Sequence, residues 1–292
     1  MKHVAFFLTA LPAMIFFPMH DCLAWNVTMT CGPGYDEVVC ADGEKPLPTY
    51  WQSPCLSFYL NENGTTQMDF TAVQEVVRKS VQEWNHPKVS SLTLHYAGQT
   101  NEDRIGYNPY IDENANIIVF RDNDTWEESR QMMALTTVTH SRSTGLIYDA
   151  DIEINTTHYH YGIFETDGSG VVDLQNTLTH EIGHTFGLAH SSKLDATMFP
   201  YSGTGEINLR TLDQDDLDAI ANVYPPSSKK CSFSKDDYFE RPIYEMTEGP
   251  AAHSSSCSGV PVQGHERPWG WLGIICGAVL CILKKRRVLQ RQ

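Results

Sequence analysis

Three histidines and a glutamate are packed into one short stretch, His180-Glu181-Ile182-Gly183-His184-Thr185-Phe186-Gly187-Leu188-Ala189-His190. Two histidines four apart on a helix project from one face a turn apart, the spacing that lets both imidazoles reach a single metal ion. Three neutral imidazoles are a common ligand set for catalytic zinc, whose fourth position stays open to water. Zinc lowers the pKa of such a water to about 7, so a nucleophile exists at neutral pH. Glu181 is not needed as a ligand. Beside His180, it is the candidate general base, taking a proton from water and passing it to a leaving amine.

These residues need a helix with one chemical face and one packing face. Thr177, His180, Glu181 and His184 make the polar side, while Leu174, Leu178, Ile182 and Phe186 recur at helical spacing on the other. Asp173 reads as the N-cap. Gly187 stands where the chain needs a residue tolerant of positive φ to stop the helix and swing His190 back toward the first two histidines.

The stretch His180-Glu181-x-x-His184-x-x-Gly187-x-x-His190 resembles the long zinc signature of the metzincin metalloproteases, and Ser191 after the third histidine resembles the matrixin branch. The resemblance covers roughly residues 50 to 225 and is most specific at 180 to 200. It implies a methionine turn at Ala196-Thr197-Met198-Phe199-Pro200, with Met198 as the floor of the metal site, and it implies that Asp215 and Asp216, opening the last helix, brace that turn. The implied fold is α+β, a twisted mixed sheet with a packing helix, the zinc-binding active-site helix and a small C-terminal subdomain. The implied activity is zinc-dependent endopeptidase cleavage of protein or peptide substrates, by a chain that acts as a monomer. The strand Asp149–Asn155, whose Ala150, Ile152 and Ile154 alternate with polar neighbours, resembles the edge strand bordering the substrate cleft. The loop that carries a structural zinc in animal matrixins is short or missing here; His158 and His160 remain candidate ligands, but in a Thr- and Tyr-rich loop the favoured reading of both is as exposed polar residues. An alternative from another class is a catalytically silent zinc-binding adhesion or interaction module at the cell surface. The retained Glu181 argues against it.

With 292 residues, 41% hydrophobic, and six Trp, thirteen Tyr and twelve Phe, the chain has material for one sizeable core. Its formal net charge of -15 argues against nucleic acid as a partner, because phosphate binding needs a basic surface. The acidic residues serve solubility, with calcium as a candidate second metal. Residues 1–24, an apolar run ending at Cys22-Leu23-Ala24, read as a secretory signal peptide.

Four cysteines of the exported part, Cys31, Cys40, Cys55 and Cys231, allow three disulfide connectivities. The expected pairing is Cys31 with Cys40 and Cys55 with Cys231, the second clamping the start of the domain to the segment leaving it. A competing reading of Thr30-Cys31-Gly32-Pro33-Gly34-Tyr35-Asp36 is its faint similarity to the cysteine switch that keeps many matrixins latent, although the arginine of that switch is absent.

Taken in order, residues 25–50 read as an irregular N-terminal segment and 51–226 as the metalloprotease-like domain. Strands are expected at Leu56–Leu60, Leu92–Tyr96, Asn116–Phe120, Ala134–Val138 and Leu146–Asn155, with capping boxes at Thr71/Gln74 and Thr211/Gln214. Residues 227–268, rich in Ser, Pro and Gly, read as a stalk. Residues 269–292 combine a short apolar run with Lys284-Lys285-Arg286-Arg287, an arrangement expected to meet a membrane and similar to bacterial C-terminal sorting tails of the myxobacterial kind, with Cys257 as the motif a processing enzyme would read. The run extends about 22 Å as a helix against about 30 Å of hydrocarbon. The chain is therefore expected at the cell surface, or released after C-terminal processing.

Overall fold

Five apolar runs become the five strands of one sheet. The computed structural model describes residues 24–31, 40–110, 114–165, 170–227 and 231. Residues 1–23 of the expected signal peptide, Cys257, the terminal apolar run and nearly all of the stalk lie outside them. Among the described residues no helix is long and apolar enough to cross a membrane.

In chain order the elements are β1 (Asn26–Val27), β2 (Cys55–Asn61), α1 (Phe70–Glu83), β3 (Thr93–Thr100), β4 (Asn116–Phe120), β5 (Ala134–His140), β6 (Ile147–Ile154), β7 (Tyr161–Gly162), β8 (Val172–Asp173), α2 (Leu174–Thr185), β9 (Leu188–Ala189) and α3 (Gln214–Val223), with a 3-10 turn at Asn208–Arg210. The main sheet runs β3-β2-β4-β6-β5. Its first four strands are mutually parallel and β5 is antiparallel to β6, so the sheet is mixed as expected. A parallel strand buried on both faces reads as a continuous apolar run, and β4 does so. Its Ile118 and Phe120 enter the main core with α1 and α2, and Ile117 and Val119 enter a smaller cluster with Tyr59 on the other face.

The substrate-edge assignment is corrected. The strand with alternating polar residues, β6, is interior, between β4 and β5, and the edge strands of the sheet are β3 and β5. The alternation misled because Asp149 and Asp151 are not wet: they are 2% and 1% exposed, and the backbone N–H groups of Gly106 and Ile117 donate to Asp151 at 2.6 and 3.0 Å. Burial, then the neighbouring Asp149 charge, pushes the Asp151 carboxyl up to about 8. A carboxyl raised in the fold binds more protons than in the unfolded chain, so its stabilising effect is full below about pH 4 and is lost as pH rises through about 8. Between pH 7 and 8 stability is expected to fall by up to about 1.4 kcal/mol per pH unit, and Asp151→Asn should flatten that slope in thermal unfolding. An unchanged slope in the variant would mean Asp151 is already ionised at neutral pH.

Both capping boxes also shift. Asp69, not Thr71, caps α1, accepting from Ala72 N at 3.1 Å. Asp213 and Asp216, not Thr211 and Gln214, form the box that opens α3. The aspartates are ionised acceptors and win over hydroxyl and amide partners nearby.

Cys31 is bonded to Cys40, and Cys55 to Cys231 across a sequence separation of 176. Cys31 is fully buried with its sulfur in that bond, which removes the reading of it as a free thiol held over a metal. The N-terminal segment is irregular yet integral. β1 pairs antiparallel with β9, Thr28 N donates to Gly187 O at 2.8 Å, and Thr49 N donates to Thr28 O at 2.8 Å.

Candidate active site

α2 begins at Asp173, whose carboxylate accepts from Asn176 N at 2.8 Å. The same carboxylate is gripped by Arg210 at 2.7 Å (Nε to Oδ1) and 2.5 Å (Nη2 to Oδ2). Leu174, Leu178, Ile182 and Phe186 are fully buried, so the helix lies with its apolar side in the core as the periodicity requires. Trp84 Nε1 donates to Thr179 O and Trp51 Nε1 to Thr185 O, both at 2.8 Å, which pins the helix axis at two levels. At its far end Gly187 has φ 95°, and a Cβ there would lie 2.4 Å from Thr49 O, so backbone conformation and space both demand glycine. The Tyr224 hydroxyl donates to Phe186 O at 2.9 Å and accepts from Trp51 N at 3.0 Å, tying the end of α3 to the same turn.

That turn brings the third histidine back. The ring centroids of His180, His184 and His190 are 4.7 to 5.3 Å apart. One potential ligand atom from each lies within 4.8 Å of the others, and this is the one group of three or more potential metal ligands among the described residues. His180 Nδ1 lies 2.7 Å from Thr197 O and His184 Nδ1 lies 2.8 Å from Leu188 O. A carbonyl only accepts, so each Nδ1 carries the proton and each Nε2 presents a lone pair. Burial pushes both imidazoles down to about 4, which keeps them neutral at pH 7. Their two Nε2 atoms nevertheless face each other at 3.0 Å. Two lone pairs at that distance repel unless a cation draws both. Four-coordinate zinc with nitrogen ligands at 2.0–2.1 Å spaces those ligands about 3.3 Å apart, so His180 and His184 fit zinc in type, tautomer and spacing, and His190 brings a third imidazole beside them.

Glu181 is 8% exposed. Burial pushes its carboxyl up, opposed by His184 and by the Thr136 hydroxyl, which donates to Oε2 at 2.6 Å. Met198, 2% exposed, lies under the helix at Gly183, where a Cβ would stand 2.3 Å from its Sδ and 2.9 Å from Trp84 Cζ2. Gly183→Ala is therefore expected to cost about 1–3 kcal/mol, because the buried thioether and the pinned indole cannot both retreat. The companion effect is a lower zinc occupancy. Thermal unfolding with metal analysis checks both, and an alanine variant with unchanged melting would show that Met198 yields freely.

The two aspartates divide their work. Asp216 accepts from Thr197 N at 2.8 Å, Met198 N at 3.1 Å and Asp213 N at 2.9 Å, and so braces the methionine turn. Asp215 does not touch that turn. It accepts from the Ser191 hydroxyl at 2.6 Å and from Ala24 N and Trp25 N at 3.2 and 3.1 Å, fixing the chain just past His190. His158 lies outside the cluster, its Nε2 accepting from Arg130 Nε at 2.7 Å, and His160 is exposed. Sequence reasoning missed Thr136, Gly183, Arg210 and Tyr224. A glycine inside a helix was a readable signal for Gly183; the others depend on long-range contacts.

The model of the family described as Matrixin matches residues 50–225. The chain is 25% identical over 189 residues to the interstitial collagenase of Oryctolagus cuniculus, covering 61% of this chain and 33% of that protein. It is 40% identical over 60 residues to the matrilysin of Homo sapiens, covering 20% of this chain and 22% of that protein. It is 46% identical over 54 residues to Metalloendoproteinase 5-MMP of Arabidopsis thaliana, covering 18% and 15%. The chain thus spans about a third of the length of the collagenase it matches. The family match runs from the bridge at Tyr50 to the end of α3, taking in the whole sheet, the three histidines and the methionine turn, and on that extent the chain belongs to the matrixin family.

Proposed function

We propose that this protein is an exported zinc endopeptidase that hydrolyses peptide bonds in protein substrates, with His180, His184 and His190 as metal ligands and Glu181 as general base. The observation that carries the reading is the pair of neutral imidazoles whose Nε2 lone pairs converge beside His190 and Glu181. A zinc ion held there supplies Lewis acidity toward a carbonyl oxygen and acidifies water. Glu181 takes a proton from the attacking water and delivers it to the departing amine nitrogen, so hydrolysis leaves one new acid and one new amine. The free edge of β5 offers backbone groups to an extended substrate, which pairs as an added strand. Thr136 on that strand touches Glu181, and this contact supports reading the β5 edge as the pairing edge beside the proposed base.

Two disulfides favour an oxidising, exported setting, and residues 269–292 serve as a membrane anchor or a bacterial sorting tail. The test is metal analysis of the purified protein combined with cleavage of a peptide library. One zinc per chain, with cleavage lost on chelation and restored by zinc, is the expected result. Bound zinc without cleavage of any peptide would instead support the silent interaction module.

A further inference from the structure

Thr136 reaches Glu181 from a different element altogether. Its Oγ1 lies 2.6 Å from Glu181 Oε2 and 3.0 Å from the backbone oxygen of the same residue. A hydroxyl has one proton, and of these two acceptors the carboxylate makes the stronger, charge-assisted bond. One atom of β5 therefore bears on both the main chain and the side chain of Glu181. Glutamate has three rotatable side-chain bonds, and such a contact selects among their rotamers.

The strand does not depend on this bond for its own position. Just ahead of β5, Met133 O accepts from Asn155 N at 3.0 Å and from the Tyr161 hydroxyl, and Met132 O accepts from Asn155 Nδ2 at 2.7 Å. β5 is further paired with β6 from Ala134 to His140. Deleting the Thr136 hydroxyl therefore releases the carboxylate and leaves the strand in place.

We propose that Thr136 is a positioning residue for proton transfer, its hydroxyl holding the Glu181 carboxylate in the rotamer seen here, with Oε2 on the Thr136 hydroxyl. This rests on the reading of Glu181 as general base and adds a residue that the zinc signature does not contain.

The test compares the full zinc-loaded chain with Thr136→Val, which keeps shape and β-branching but loses the hydroxyl, and with Thr136→Ser, which keeps the hydroxyl. Thr136→Val is expected to lower kcat about 10- to 100-fold, with KM and zinc content unchanged, and Thr136→Ser to restore most of the turnover. An undiminished kcat in Thr136→Val would overturn the proposal, as would a loss that serine fails to rescue. A crystal structure of metal-free Thr136→Val provides a readout independent of turnover. A carboxylate rotated away from its wild-type position supports the proposal, and an unmoved one overturns it. If the wild-type chain itself cleaves nothing, the functional reading fails and this structural comparison still decides the role of Thr136.

Discussion

Glu181→Gln is expected to lower kcat by about 10²- to 10⁴-fold, the range associated with loss of a positioned general base, while zinc content stays at the wild-type level. Glutamine keeps the volume of a side chain that is 8% exposed, and its amide oxygen can still accept from Thr136 Oγ1. What it loses is the ability to take a proton. Burial works against the Glu181 charge, so removing that charge should leave the melting temperature equal or higher. Steady-state kinetics beside metal analysis separates the two effects. Turnover within tenfold of wild type would mean that another group accepts the proton.

Arg210→Met is the substitution expected to cost the most stability, about 3–5 kcal/mol, because it strands a buried carboxylate. Asp173 is 1% exposed and accepts twice from Arg210, which also donates to Phe164 O at 2.6 Å. Domains are commonly stable by only about 5–15 kcal/mol, so the loss is a large share. It falls at the N-cap of α2, on which the histidine spacing depends. The charge-free pair Asp173→Asn with Arg210→Met should recover much of it, since the penalty comes from the unpaired charge more than from the missing attraction. Denaturant unfolding of the two single variants and the double variant measures this. Equal losses for Arg210→Met alone and for the pair would show that packing around Phe164, not charge, is the main contribution.

The zinc helix was legible because everything that defines it is local: a four-residue apolar spacing, an aspartate before it, a glycine after it and histidines one turn apart. The strands were legible as apolar runs, but their order was not. Asp149, Asp151 and Glu153 gave β6 the look of a half-wetted strand, and nothing nearby in sequence announced that Gly106 and Ile117 would return to satisfy Asp151. Strand order is a property of pairings made far along the chain, and an edge strand differs from an interior one only in what lies beside it. The same limit hid Thr136 and Arg210. Each is an ordinary residue in an ordinary segment, and becomes part of the site only through contact with Glu181 or Asp173, tens of residues away. The sequence marks the aspartate pair of α3 as a unit, and only the hydrogen bonds show that Asp216 holds the methionine turn while Asp215 holds Ser191, the residue after His190.

The Cys55–Cys231 bond also makes this fold asymmetric toward tension. A pull applied between the chain ahead of residue 55 and the chain beyond 231 crosses directly from one sulfur to the other. The covalent loop between them, which contains the sheet, the three histidines, Glu181 and the methionine turn, is bypassed. Two groups of contacts near the site stay on the mechanical path, the bonds of Ala24 N and Trp25 N to Asp215 and the short zipper of β1 against β9 beside His190. Under load those contacts would yield before the enclosed loop, loosening the chain on both sides of the third histidine while the other two stayed seated.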